Sequence, residues 1–186
     1  VLEDRVSNTG LLKADGGQIR MSAKDAGDVI RNVVNMEGVI EAKTVAEENG
    51  WVILGGGDSG IVNVSGTIDA SGDDAGEKGG IVHVLGEYVG LLDNAVVDVS
   101  GDAGGGEALI GGDYQGKNAD VQNAFRTYVG KDAVVDASAG TTGNAGKVIV
   151  WADDVTRFYG SVFATGGSLS GDGGFAEISG KGNLDF

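Results

Sequence analysis

Lys13, Glu41, Asp69, Asp98 and Asp136 each close the same short pattern, a small residue followed by two mostly aliphatic ones. They are separated by 28, 28, 29 and 38 residues. If the segments carrying them stack in register, four carboxylates stand in a row at intervals of about 4.8 Å. Like charges that close raise one another's pKa or recruit a cation. Calcium, a hard cation, favours carboxylate oxygens, which makes Asp69, Asp98 and Asp136 candidate metal ligands. The alternative is a solvated acidic face, with Lys13 at one end. The loops Gly72–Gly76 and Gly101–Gly104 add carboxylates near the same edge. Neither matches the glycine-rich nonapeptide of calcium β-rolls, and Asp and Gly are ordinary turn formers.

Other chemistry is sparse. His83 is the single histidine and there is no cysteine, so no His-rich or thiolate metal site and no disulfide can form within these residues. Ser and Asp are plentiful, but no Gly-x-Ser-x-Gly elbow surrounds a serine. Residues 113–126 interrupt the spacing and form an expected loop excursion, with Asp113, Tyr114, Lys117 and Asn118 as candidate binding residues. Val121, Ala124 and Phe125 give that loop an apolar edge able to dock on the body of the protein. Trp51 and Trp151 are expected either beneath a loop or as exposed binding anchors.

The elements that position these groups follow from the repeat. The pattern occurs six times, at Gly10–Ala14, Gly38–Ala42, Gly66–Ala70, Ala95–Val99, Ala133–Ala137 and Gly160–Ala164. A second series runs in phase: Gln18–Met21, Trp51–Leu54, Ile81–Val84, Glu107–Ile110, Lys147–Val150 and Phe175–Ile178. Its second and fourth positions are always apolar, which is the period-two signature of strands. His83 falls in its outward column with Arg20, Ile53, Leu109, Ile149 and Glu177. A weaker third strand is expected at Val34–Met36, Val62–Val64 and Arg157–Tyr159, with Val34, Val64 and Phe158 in one interior column. Three short strands in a repeat of this length describe a coil of a parallel β-helix. The expected fold is therefore all-β, a right-handed solenoid of about six coils running through residues 1–186 as a single segment.

Composition agrees. Gly supplies 36 of 186 residues, suited to tight coil corners, and proline is absent, as a ladder using nearly every N–H requires. The net charge of −15 argues against nucleic acid and against anionic membrane surfaces, and no run is apolar enough to span a bilayer. Mutual repulsion between such molecules favours a monomer. The chain begins at Val1 without Met, and coil-like patterns run almost to both termini, so an internal fragment of a longer protein is expected.

The stretch Gly111-Gly-Asp-Tyr-Gln-Gly-Lys-Asn118, then Val134–Ser138, Gly146–Asp153 and Gly173–Lys181, resembles the filamentous-haemagglutinin-type exoproteins. Val39–Ala42 and Asp58–Gly66 extend the likeness over most of the chain. Order and spacing resemble in particular the segment behind the secretion domain of the high-molecular-weight adhesins. That resemblance implies a secreted or bacterial cell-surface protein, exported by an outer-membrane partner, with a right-handed β-helix; no cofactor is expected beyond the calcium considered above. The Asn-Pro secretion motifs of the family are absent, so transporter recognition is not assigned to these residues. The expected role is a non-catalytic shaft that displays other domains. A module for a host receptor or glycan is one alternative. A β-helix polysaccharide lyase or hydrolase, using convergent carboxylates in a groove, is the other.

Overall fold

The computed structural model describes residues 4–23, 32–46 and 48–186. Its strands form three parallel sheets, wound so that the chain visits each sheet once per coil. Sheet A has seven strands: Asp4–Asn8, Asn32–Met36, Ile61–Val64, Tyr88–Leu91, Arg126–Val129, Val155–Phe158 and Asn183–Asp185. Sheet B has six: Leu11–Lys13, Val39–Glu41, Thr67–Asp69, Val96–Asp98, Val134–Asp136 and Ser161–Phe163. Sheet C also has six: Gln18–Ser22, Trp51–Gly55, Ile81–Leu85, Glu107–Ile110, Lys147–Val150 and Phe175–Ile178. The protein is thus an all-β solenoid of about six turns. Sheets B and C coincide with the two series read from the sequence.

Alternation explains the core. In sheet C, Val52, Leu54, Val82, Val84, Ala108, Ile110, Val148 and Val150 point inward and are fully buried. Sheet B contributes Ile40, Ile68, Val97 and Val135, with Ala42, Ala70, Val99 and Ala137 at the following corner. Each inward side chain stacks on its counterpart one coil away, so the core is one continuous column of aliphatic layers.

Sheet A carries the correction. Val34 pairs with Val62, while Val64 aligns with Met36, Leu91, Val129 and Phe158. Val34 therefore belongs to a second interior column, two residues from the one shared by Val64 and Phe158. Both columns are inward because a strand of period two buries every other residue. Two threonines stand in the Val34 column, Thr127 and Thr156, and both are buried. Their hydroxyls donate to the Trp151 and Ser179 carbonyls at 2.7 Å, satisfying buried groups at the turn from sheet C into sheet A.

One corner is built from glycine alone. Gly17, Gly50, Gly80, Gly106 and Gly146 each accept, through the carbonyl, the N–H that opens the sheet C strand of the next coil, at 2.8–3.0 Å. A Cβ on Gly80, Gly106, Gly146 or Gly174 would lie 1.9–2.2 Å from the carbonyl oxygen of the glycine one coil below. None of these four glycines has a left-handed φ. Space, not conformation, requires glycine here.

Candidate functional site

The acidic row lies on the outer face of sheet B. Lys13, Glu41, Asp69, Asp98, Asp136 and Phe163 are direct neighbours on successive strands. Their side chains, however, are engaged locally. Oδ1 of Asp69 accepts the Ser71 N–H and hydroxyl at 3.0 and 2.7 Å. Asp98 does the same with Ser100 at 2.8 and 2.6 Å, and Asp136 accepts the Ser138 N–H at 2.8 Å. Each Asp-x-Ser thus closes a turn that ends its strand. Lys43 bridges Asp69 and Asp73 at 3.1 and 2.6 Å, and Lys13 bridges Glu41 and Asp15 at 2.7 and 2.9 Å. Among the described residues no group of three or more His, Asp or Glu side chains is placed to share a metal ion.

Asp98 sits in the middle of the row. Burial pushes its pKa above the ordinary carboxylate value, the Ser100 hydroxyl and N–H partly offset this, and Asp69 and Asp136 push it further up. A folded pKa above the unfolded one means that the native state binds protons more tightly. Ionised Asp98 therefore costs stability at neutral pH, and that cost disappears as pH falls below the ordinary carboxylate range. Asp98→Asn, which keeps the acceptor for Ser100, should raise the melting temperature at pH 7 by about 2 °C, on the order of 0.5–1 kcal/mol. At pH 3 the two proteins should melt together. An equal gain at both pH values would assign the effect to packing and not to charge.

The second constellation lies on sheet C beneath the loop between Ile110 and Arg126. Asp113 is its staple: Oδ1 accepts the Tyr114 N–H at 2.7 Å and Oδ2 accepts the Asn118 amide at 2.8 Å. The Lys147 ammonium lies 3.4 Å from the same carboxylate and 2.7 Å from Glu107. Glu107 in turn meets His83 Nε2 at 3.0 Å. The result is a chain of partners, His83–Glu107–Lys147–Asp113–Asn118, running from the sheet into the loop. The His83 contact, opposed by burial and aided by Lys147, holds Glu107 below its ordinary pKa. Burial works against the Lys147 ammonium, yet Glu107 and Asp113 keep its pKa raised. Charge pairing and hydrogen bonding thus hold Glu107 and Lys147 ionised and mutually satisfied.

Of the four expected loop residues, Asp113 and Asn118 face one another and serve the loop's own shape. Tyr114 is exposed and meets the Phe175 ring edge-on, with centroids 5.7 Å apart. Lys117 bonds the Gln115 side chain. Val121 packs on Leu109, Ile149 and Trp151, and Ala124 is fully buried. Leu109 and Ile149 occupy outward positions, yet they are 1% and 0% exposed because the loop covers them. Phe125 departs from the expected docking edge. It is exposed and packs edge-on against Tyr88 instead, centroids 6.1 Å apart. Trp151 is buried under the loop, its indole N–H donating to Asp153 at 3.2 Å. Trp51 is half-buried and meets the His83 ring edge-on at 6.2 Å.

Sequence reasoning missed the His83–Glu107 contact and the length of the strap. Gln122 donates to the Gly57 carbonyl at 2.7 Å and the Gln115 N–H reaches Glu177 at 3.2 Å, tying positions 65 and 62 residues apart. The signal was present in the outward column, where Leu109 and Ile149 are aliphatic on what should be a wet face.

No protein-family model and no curated protein matches the chain. Among solved structures it is similar to the HMW1 secretion domain from Haemophilus influenzae, at 29% sequence identity and a TM-score of 0.78. The alignment covers 97% of this chain and 45% of that one, so the chain spans less than half the length of its structural neighbour. The solenoid, the loop-covered sheet and the acidic row therefore belong to a protein that is similar in fold, over nearly all of its length, to part of a bacterial secretion domain.

Proposed function

We propose that this chain is a rigid, non-catalytic display segment of a secreted or surface-attached bacterial adhesin-like exoprotein. The single observation that carries this reading is the unbroken stacking of three parallel sheets along the solenoid, tied lengthwise by the loop across sheet C. Every coil is joined to the next by three sets of backbone hydrogen bonds, an arrangement that resists bending and shear. The sequence resemblance to the high-molecular-weight adhesins supports the setting. Pulling the purified chain from its two ends should give unfolding in coil-sized steps. Smooth extension at low force would remove the shaft reading.

The structural likeness is to a secretion domain. That favours a second reading, in which an outer-membrane export partner contacts this segment. Recovery of the chain with such a partner from detergent extract, and its loss in competition with a known secretion domain, would establish it. A cation role for Asp69, Asp98 and Asp136 is the slighter proposal, resting on their register alone. Calcium would have to raise the melting temperature of the chain and leave Asp98→Asn unmoved.

A further inference from the structure

The outer face of sheet A is unlike the other two. Its outward columns read Asn35, Asn63, Gly90, Tyr128, Arg157, Asp185 and, alongside, Ile61, Tyr88, Arg126, Val155, Asn183. The first column loses its side chain at Gly90. That glycine has no left-handed φ, and a Cβ there would meet only side chains, Asn63 Oδ1 at 2.9 Å and Leu92 at 3.2 Å. Neither backbone conformation nor a neighbouring backbone calls for glycine. Gly90 is itself buried against Asn63 and Leu92, and it lines the floor of a notch of about 350 Å³. That volume falls within the range of small-ligand sites.

The notch is flanked by rings and planar polar groups. Tyr128 and Tyr159 are 39% and 42% exposed and pack edge-on, centroids 5.9 Å apart. Tyr88 stands on the other side, edge-on to Phe125. Arg126 and Arg157 come from the two coils beyond Gly90, and each pairs through Nε, with Asp154 at 2.9 Å and with Asp185 at 3.7 Å. The Arg126 guanidinium also lies over the Phe125 ring, 5.2 Å from its centroid. In a chain of net charge −15 this face is locally neutral.

We propose that this face binds a neutral oligosaccharide, lying along the solenoid axis across Gly90. Sugars present apolar C–H faces to aromatic rings and a rim of hydroxyls to planar donors and acceptors, which matches Tyr88 and Tyr128 beside Asn63, Arg126 and Arg157. The site crosses four strands at a spacing of about 4.8 Å, which suits a chain of several sugars better than one ring. A polyanionic glycan would meet Asp154, Asp185 and the negative field of the whole molecule. This inference stands independently of the display role, since a shaft needs no ligand.

The test uses amide chemical-shift mapping of the intact chain. Neutral gluco- and galacto-configured oligosaccharides serve as probes, with a uronate oligosaccharide as counter-probe. A neutral probe should give saturable shifts centred on Gly90, Tyr128 and Arg157. Tyr128→Ala should weaken binding about tenfold, a loss of roughly 1.4 kcal/mol. Gly90→Leu, whose side chain must displace Asn63 and Leu92 into the notch, should abolish it. Should Gly90→Leu fold poorly, Gly90→Ser is to be compared at equal melting temperature. Absence of saturable shifts with every neutral probe at millimolar concentration overturns the proposal. So does preference for the uronate, or shifts that map to another face.

Discussion

Gly106→Ala should lower the stability of this protein by about 3–4 kcal/mol, roughly 10 °C in melting temperature for a chain of this size. The added Cβ would lie 2.0 Å from the Gly80 carbonyl oxygen. That oxygen is not free to move, because it accepts the Glu107 N–H at 2.9 Å and so opens a strand of sheet C. Nor can the clash be relieved by rotating a side chain, since both partners are backbone. The coil must tilt, and tilting disturbs the aliphatic layers above and below. Gly55→Ala is the matched control. Its Cβ would meet only Ser22 Cβ, at 3.7 Å, so its change should stay within about 0.5 kcal/mol. Equal losses in the two variants would show that the effect is general to glycine in strands and not to the ladder.

That ladder also shows how far the sequence could be read. The glycine before each sheet C strand is visible as a recurrence, and the aliphatic pairs fix sheets B and C at nearly correct bounds. Sheet A is fainter for physical reasons. The strand Tyr88–Leu91 contains Gly90, and Arg126–Val129 and Val155–Phe158 place Thr127 and Thr156 at inward positions. A pattern of apolar alternation fails wherever a buried hydroxyl serves a turn carbonyl. Arg126–Val129 is masked in this way, and Asp4–Asn8, Tyr88–Leu91 and Asn183–Asp185 are likewise not marked by the pattern. The acidic row was legible because side chains of neighbouring coils repeat. That each carboxylate would turn back to a serine two residues on needed only the Asp-x-Ser spacing at Asp69, Asp98 and Asp136. The loop's path was not legible, because no period constrains a segment that leaves the stack.

Trp151 tests that path. Trp151→Ala should cost about 3–5 kcal/mol, as removal of a large buried aromatic does. The indole is 7% exposed, fills the space between Leu109, Ile149 and Val121, and is approached closely by Gly112 and Gly116. Its loss leaves the loop without its anchor, while the aliphatic layers inside the solenoid keep their contacts. The damage should therefore be local before it is global. Trypsin should cut after Lys117 at least several-fold faster in Trp151→Ala, under conditions where the sheets stay folded. Trp51→Ala removes a half-buried ring that meets His83 outside the loop's apolar contact. It should cost less and leave cleavage at Lys117 unchanged. If both variants accelerate cleavage equally, the loop is not held by Trp151, and the covered outward pair Leu109 and Ile149 must owe its burial to the polar chain through Asp113 and Lys147. Lys147→Met then becomes the decisive variant. It breaks that chain at its centre and leaves the apolar surface of the sheet intact, so cleavage after Lys117 faster than in either tryptophan variant would make the charge network the loop's true clasp.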